Sequence, residues 1–141
     1  MIGEYGQYKE AYAAAGITPG HLIELTSANK VRKHSTEGGV AEAYFAIENA
    51  LVGKTIDDAY ITNDVVMGYL AAKGDVVNAY IQAGQNIAIG DKLISAADGT
   101  LQELGTEATG TVVRTVVGVA MEAANLTDTG AVATRILVRI V

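Results

Sequence analysis

Apolar and polar residues alternate most regularly at the C-terminal end of the sequence. From Thr134 to Val141, Ile136, Val138 and Ile140 fall on one side, and Arg135 and Arg139 fall on the other. A period of two is the repeat of a β-strand, whose successive side chains point to opposite faces. The pattern therefore predicts a strand over residues 134–141.

Other short apolar segments are separated by turn residues at intervals of about 8–12 positions, a spacing typical of β-sandwiches and barrels. Asp98-Gly99 is a strong hairpin signal between two of them. The segment 40–47 also fits a helix by pattern alone. The sequence predicts a mainly β fold, a small β-barrel with one or two short helices, and strands over 21–25, 31–35, 40–47, 65–71, 92–96 and 100–104.

Two further segments allow a helix. Val77, Tyr80 and Ile81 fit a helical turn within 76–90, which is otherwise strand-like. Near the N-terminus, tyrosines lie at i, i+3 and i+7, which fits a short helix over about residues 8–15. Glycines at positions 3, 6 and 16 instead favour an extended arm. We predict an N-terminal arm over 1–18 and one domain over 19–141, separated by the turn at Pro19.

Composition narrows the functional classes. The chain has 141 residues, enough for one domain, and no cysteine, which excludes disulfides and thiolate metal sites. Its net charge of −6 argues against a general nucleic-acid binder. The acidity lies in residues 35–110, net −8, while both flanking segments are net +1. No signal peptide or membrane-spanning segment is evident, so we expect synthesis in a cytoplasm.

Candidate chemistry is sparse. His21 and His34 could begin a zinc site, but no third ligand is spaced for one, and surface or strand-end histidines are the simpler interpretation. Asp57, Asp58 and Asp64 lack the spacing of a calcium loop. The cluster Lys30, Arg32, Lys33 and His34 lacks interleaved aromatic residues and indicates a polar hairpin edge. We expect no enzyme activity, no cofactor and no metal.

Several stretches, taken in order, resemble one family. They are Gly20-His21-Leu22-Ile23-Glu24-Leu25, Lys33-His34-Ser35-Thr36-Glu37-Gly38-Gly39, Gly53-Lys54-Thr55-Ile56-Asp57-Asp58-Ala59-Tyr60, Gly74-Asp75-Val76-Val77-Asn78-Ala79, Ile89-Gly90-Asp91-Lys92-Leu93, Ala97-Asp98-Gly99-Thr100-Leu101 and Val117-Gly118-Val119-Ala120. Together they resemble the head decoration, or cement, proteins of tailed bacteriophages. The resemblance runs from about residue 18 to the C-terminus.

The resemblance implies a β-tulip body that forms homotrimers on the outer surface of the virion capsid. The partner would be the major capsid protein, clamped after the shell expands, with no nucleic acid or membrane involved. It also implies an N-terminal arm on the capsid lattice. Tyr5, Tyr8, Lys9 and Tyr12 are then the candidate capsid contacts, since tyrosine rings anchor interfaces well. The competing interpretation packs these tyrosines on the protein's own core.

Two other functions share this composition. One is a β-clip-like ligand-binding or enzyme-associated domain, suggested by the stretch around Gly90-Asp91-Lys92-Leu93. That function requires convergent polar side chains in a pocket. The other is a phage tail or baseplate β domain, which would bind tails rather than heads.

Overall fold

A computed structural model of the chain describes residues 7–105 and 113–141. Twelve strands make up this part of the chain. The helical element among the described residues is a single 3₁₀ turn, Ala50–Val52, too short to cross a membrane. The strands are β1 (Gln7–Ala13), β2 (Ile23–Leu25), β3 (Lys30–Lys33), β4 (Tyr44–Ile47), β5 (Val65–Leu70), β6 (Val76–Ile81), β7 (Asn86–Ile87), β8 (Lys92–Ser95), β9 (Leu101–Glu103), β10 (Gly118–Ala120), β11 (Ala124–Asn125) and β12 (Thr134–Ile140).

The prediction of a mainly β fold with a small barrel is confirmed. In place of the one or two expected short helices, the described residues contain a single 3₁₀ turn. The segment at Val77 is strand β6, whose residues Val77, Ala79 and Ile81 are buried while Val76 and Asn78 are exposed. This alternation has a period of two, and it is fixed by six cross-strand pairs with β12. Pairing with a distant strand thus outweighs the helical spacing of a few apolar residues.

Five strands form one sheet in the order β2-β3-β1-β5-β4. β1 is its middle strand, antiparallel to β5 over six residue pairs and parallel to β3. Leu22, just before β2, forms an antiparallel bridge with Phe45 of β4. The two outer strands of the sheet therefore meet.

The N-terminal segment is extended over Gln7–Ala13, as the arm interpretation requires, and it is not the alternative helix. It is nevertheless paired on both sides within the sheet. These residues are therefore part of the folded body and not an arm separate from it. Residues 1–6 lie outside the described part of the chain.

The other large unit is a closed barrel of five strands in the order β10-β12-β6-β9-β8. The predicted hairpin at Asp98-Gly99 joins β8 and β9. In β12, the side chains of Ile136, Val138 and Ile140 are buried, as the sequence alternation predicts. β7 and β11 form a separate two-stranded ribbon.

Each unit has its own apolar core. Leu22 and Phe45, from the bridge between β2 and β4, extend into the barrel core and so join the two units. The remaining buried residues of the barrel core are Val77, Ala79, Ile81, Ile87, Leu93, Leu101, Val117, Ala120, Ile136, Val138 and Ile140. The second core, behind the five-stranded sheet, comprises Ala13, Ile17, Ile23, Val31, Tyr44, Ala46, Tyr60 and Val66.

A glycine in β5 makes room for the ring of Tyr44 in the second core. The ring of Tyr44 lies where a side chain on Gly68 would begin, because Gly68 is the cross-strand neighbour of Ala46 on the core face. The tyrosine hydroxyl reaches over the sheet and donates to the backbone carbonyl of Lys9 at 3.1 Å. A single ring thus spans β4, β5 and β1 and locks the middle strand in place.

Candidate docking surface

The predicted capsid-contact residues fall on β1 and just before it. Tyr8 and Tyr12 point to the same face of the sheet, because they are separated by an even number of positions. They remain 71% and 57% exposed, so neither is packed into the protein's own core. Lys9 points to the opposite face, and Tyr5 lies outside the described residues. The structure therefore brings together two of the four residues and separates Lys9 from them.

Cross-strand neighbours extend this surface across three strands. Tyr8 lies opposite Tyr69, with ring centroids 5.3 Å apart and planes tilted by 48°. The 3₁₀ turn after β4 adds an almost fully exposed leucine at its edge. We call this surface the tyrosine face: Tyr8, Tyr12, Ile47, Leu51, Val65, Met67 and Tyr69. Tyr8, Tyr12, Leu51 and Val65 are exposed, whereas Ile47, Met67 and Tyr69 are half-buried. Adjacent apolar residues exposed in this way make the surface a candidate contact site.

The tyrosine face ends in a groove of about 400 Å³ where the sheet meets the barrel. Tyr8 and Tyr69 line its sheet side, and Val76 and Asn78 of β6 line its barrel side. Of the side chains that line it in the described part of the chain, Glu48 alone carries a charge. A second hollow, of about 370 Å³, lies on the other side of Tyr8. The Tyr8 ring therefore stands between two depressions.

Arg135 of β12 holds the end of the groove together. Its Nε donates to the Pro19 carbonyl at 3.0 Å, and Nη1 donates to the exposed Asp57 carboxylate at 2.9 Å. Nη2 donates to the Ile56 carbonyl, and the guanidinium lies 4.4 Å from the ring centroid of Tyr80. One side chain thus ties the turn at Pro19 and the loop before β5 to the barrel.

The two histidines lie at strand ends, but they are buried and not on the surface. His21 stacks on Tyr80 with centroids 4.8 Å apart, and its Nδ1 accepts the Thr18 N–H at 3.0 Å. Burial, reinforced by the charge of Lys33, lowers the pKa of His21 from 6.5 to about 4. The imidazole is therefore neutral near pH 7. In the described residues no three His, Asp or Glu side chains are grouped to hold a metal ion.

His34 belongs to an arrangement that the sequence did not reveal. Its Nδ1 lies 2.7 Å from Ser95 Oγ, and its Nε2 lies 3.1 Å from the Val40 carbonyl oxygen and 3.6 Å from Glu24 Oε2. A serine next to a histidine that is itself next to a carboxylate has the components of a hydrolytic triad. Ser95, however, is completely buried on β8. Its hydroxyl has no access to a substrate, so the group serves to pin β3 to β8.

Glu24 completes this group from the surface side. Burial acts to raise its pKa, but hydrogen bonds from the Ser35 hydroxyl and Arg32 outweigh burial and lower it. The carboxylate is therefore ionised near pH 7. Glu24 lies on β2, His34 directly follows β3 and Ser95 lies on β8, so no local motif connects the three residues.

The acidic and basic clusters of the sequence are each divided among separate contacts. Asp58 accepts the Thr55 N–H at 2.7 Å, and Asp64 accepts the Ile61 N–H at 2.9 Å, so each carboxylate stabilises its own turn. In the basic cluster, Lys30 donates to Asn63 at 2.9 Å. Arg32 pairs with Glu24 at 2.8 Å, and His34 is buried. Arg32 and His34 both contact Glu24, but neither cluster gathers all of its side chains at one site.

Sequence reasoning missed the β5 part of the tyrosine face. Val65, Met67 and Tyr69 alternate with Val66 and Leu70, which are also apolar, so the sequence did not tell which side faces solvent. Only the pairing of β1 with β5 brings Tyr69 beside Tyr8.

Comparison with known proteins identifies a fold. No protein-family model and no curated protein sequence matches the chain. Among solved structures, the chain is similar to the N base of the head fiber gp8.5 of bacteriophage phi29. The TM-score is 0.58 at 16% sequence identity, and the match covers 96% of this chain and 94% of that one. The two proteins share their fold over almost their entire lengths.

Proposed function

We propose that this chain is a structural protein of a tailed-phage head. It binds the outer surface of the expanded shell as a homotrimer, decorates it in the manner of a cement protein of the β-tulip type, and stabilises it. The observation that carries the proposal is the full-length fold similarity to the base of a head fiber. The ordered sequence stretches that resemble head decoration proteins support it independently.

The tyrosine face supplies the contact area that such a role requires. Tyr8 and Tyr12 project from the middle strand of a paired sheet, so little conformational entropy is lost when they meet a partner. Tyrosines presented on a rigid scaffold are efficient interface anchors. The face is broad and mostly apolar, with Glu10 between the two tyrosines, which suits a protein partner such as the major capsid protein better than a small molecule.

A mechanical role requires no chemistry, and we propose that the chain is not an enzyme. Ser95 lies 2.7 Å from His34 Nδ1, but it is completely buried and therefore out of reach of any substrate. The acidic middle of the chain is consistent with a body that faces water and does not bind nucleic acid.

The test is to mix purified protein with expanded, undecorated heads and image them by electron microscopy. Density at threefold positions on the outer surface is the expected result. Binding to tails instead would favour the tail or baseplate alternative, and binding to neither would refute a role on the virion. Sedimentation equilibrium of the free protein tests for a trimer of the 14.6 kDa chain.

Matched variants then test the surface. We expect Tyr12→Ala to weaken head binding by about tenfold, the effect of losing one interface anchor of about 1.4 kcal/mol. Lys9→Ala, on the same strand but on the opposite face of the sheet, should leave head binding unchanged. Equal losses from both variants would show that the tyrosine face is not the contact.

A further inference from the structure

Among the described residues, one edge of strand β6 lacks a partner strand over its first half. β12 pairs with the whole strand from Val76 to Ile81 on one side. On the other side, Tyr80 donates its N–H to the Gly20 carbonyl at 3.0 Å, and Ile81 is bridged to Leu101. Within residues 7–105 and 113–141, no strand pairs with Val76 or Asn78 on that side.

The direction of the free backbone groups follows from the strand repeat. Backbone N–H and C=O groups of alternate residues in a strand point to the same side. Since the Tyr80 N–H points away from β12, those of Asn78 and Val76 also point away from it. The Asn78 carbonyl oxygen would lie only 3.0 Å from a Cβ on Gly20, which places it at this edge. Gly20 therefore covers the Asn78 carbonyl, and the groups left to face the groove beside the tyrosine face are the N–H groups of Val76 and Asn78 and the Val76 carbonyl.

The walls of the groove match an extended polypeptide. Side chains of Tyr8 and Tyr69 form the opposite wall, so a chain on the β6 edge would lay alternate side chains against these rings. The groove is open and about 400 Å³ in volume. A segment of three residues spans about 10 Å in extended form, which matches the unpaired edge.

The acidic side chains around the groove favour a basic segment as its occupant. Glu48 lies in the groove and in the hollow on the other side of Tyr8, and no described lysine, arginine or histidine lines either one. Glu10 stands between Tyr8 and Tyr12 on the same face of β1. Arg135, at the end of the groove, is already bonded to Asp57 and to two carbonyls. A lysine or arginine among apolar residues of the partner complements this charge pattern.

We propose that the edge of β6 at Val76–Asn78 binds an extended, basic and apolar segment of a partner polypeptide as an additional strand. Main-chain hydrogen bonds to the edge provide the affinity, and the tyrosine rings and Glu48 select the sequence. The identification of this partner as the shell protein rests on the proposed function. The edge geometry itself does not.

Asn78→Pro is the decisive variant. Proline removes the N–H that points outward from the edge, and its ring occupies the place of an added strand. Because this N–H takes no part in pairing with β12, the fold should tolerate proline at this edge position. Asn78→Thr keeps the N–H and serves as the matched control. We expect Asn78→Pro to weaken binding to expanded heads by about tenfold or more, and Asn78→Thr to change it by less than about twofold. Equal binding by the two variants would overturn the proposal.

Two measurements guard against a folding defect in the proline variant. In the wild-type protein, amide hydrogen exchange over residues 76–78 should slow on head binding, and unchanged exchange there would contradict the proposal. Glu48→Gln should weaken binding by about threefold at low salt and reduce its salt dependence, as expected for loss of one charge pair.

The remaining outcomes separate this proposal from the proposed function. If the wild-type protein binds no heads, the proposed function fails, and random peptide libraries selected against wild-type and Asn78→Pro protein decide on the edge. Peptides rich in lysine or arginine among apolar residues that bind only the wild type would support it. Peptides that do not distinguish the two proteins would overturn it. A change of sedimentation mass in Asn78→Pro would mean that a second copy of this chain occupies the edge, which also overturns it.

Discussion

His21 couples the stability of the fold to pH. Its ring is buried between the two units, stacked on Tyr80, and its Nδ1 accepts a hydrogen bond from the Thr18 N–H. Burial, with the nearby Lys33 charge, lowers the pKa of His21 to about 4, against 6.5 for a free imidazole. Protonation is therefore more favourable in the unfolded chain than in the folded one.

The sign and size of the effect follow from linkage. Above pH 6.5 the imidazole is neutral in both states, and this residue adds no pH dependence. As the pH falls from 6.5 towards 4, the unfolded state takes up a proton that the folded state excludes, so the free energy of unfolding decreases. The loss amounts to about 2 kcal/mol at pH 5 and approaches about 3 kcal/mol below pH 4. This loss is a large part of the free energy of unfolding of a typical domain, which is about 5–15 kcal/mol.

The variant His21→Asn isolates this contribution. Asparagine does not titrate and still offers an oxygen to the Thr18 N–H. It loses the stacking on Tyr80, so we expect it to be less stable than the wild type by about 1–2 kcal/mol at pH 7. His34 and all sixteen acidic residues are retained in both proteins, so the difference between the two proteins reports on His21.

The measurement is urea unfolding followed by circular dichroism at several pH values from 7 to 4.5. The stability advantage of the wild type over His21→Asn should shrink by about 2 kcal/mol between pH 7 and pH 5, and it should vanish or reverse. A difference that stays constant across this range would show that the folded protein admits the proton at His21 as readily as the unfolded chain. The burial argument would then be wrong.

Three further predictions test the architecture. Gly68→Ala should destabilise the fold by about 1–3 kcal/mol in urea unfolding, because a methyl group there meets the ring of Tyr44; a neutral effect would contradict this packing. Arg135→Met should lower the free energy of unfolding by about 2–3 kcal/mol, because two backbone carbonyls lose their hydrogen-bond donor. Asp57→Asn should lower it by less than about 1 kcal/mol, because Asp57 is largely exposed. Equal losses from the two variants would refute this difference. Deletion of residues 1–17 should abolish cooperative thermal unfolding, because it removes the middle strand of the sheet; a folded product would restore the arm interpretation.

The sequence predicted the features that depend on neighbours along the chain. β12 was evident from the alternation around Val138, and the β8–β9 hairpin was evident from Asp98-Gly99. Both signals are local, because side-chain period and turn chemistry act within a few residues. The spacing of the short strands predicted a barrel as the type of fold, but it did not predict the order of the strands in it.

What the sequence did not predict depends on pairing between distant segments. The tyrosine spacing near the N-terminus fits a helix as well as it fits an extended chain, and only the partner strands β5 and β3 decide between them. The burial of His34 likewise depends on Ser95, which lies on a strand of the other unit. The tyrosine face was only half predicted, because Tyr69 enters it through its pairing with Tyr8.

Under the proposed function, the position of Tyr8 and Tyr12 on a paired strand would change the free energy of docking. A flexible arm would have to order its backbone on binding, at a cost of about 1–2 kcal/mol for each residue. Residues 7–13 have already lost that freedom on folding, since β1 is paired on both sides. The same tyrosine contacts therefore yield more net affinity than they would from an arm. A rigid sheet face also fixes the spacing of its anchors, so it binds only a surface whose depressions repeat that spacing. Under the proposed function, an ordered shell lattice would present such a surface many times.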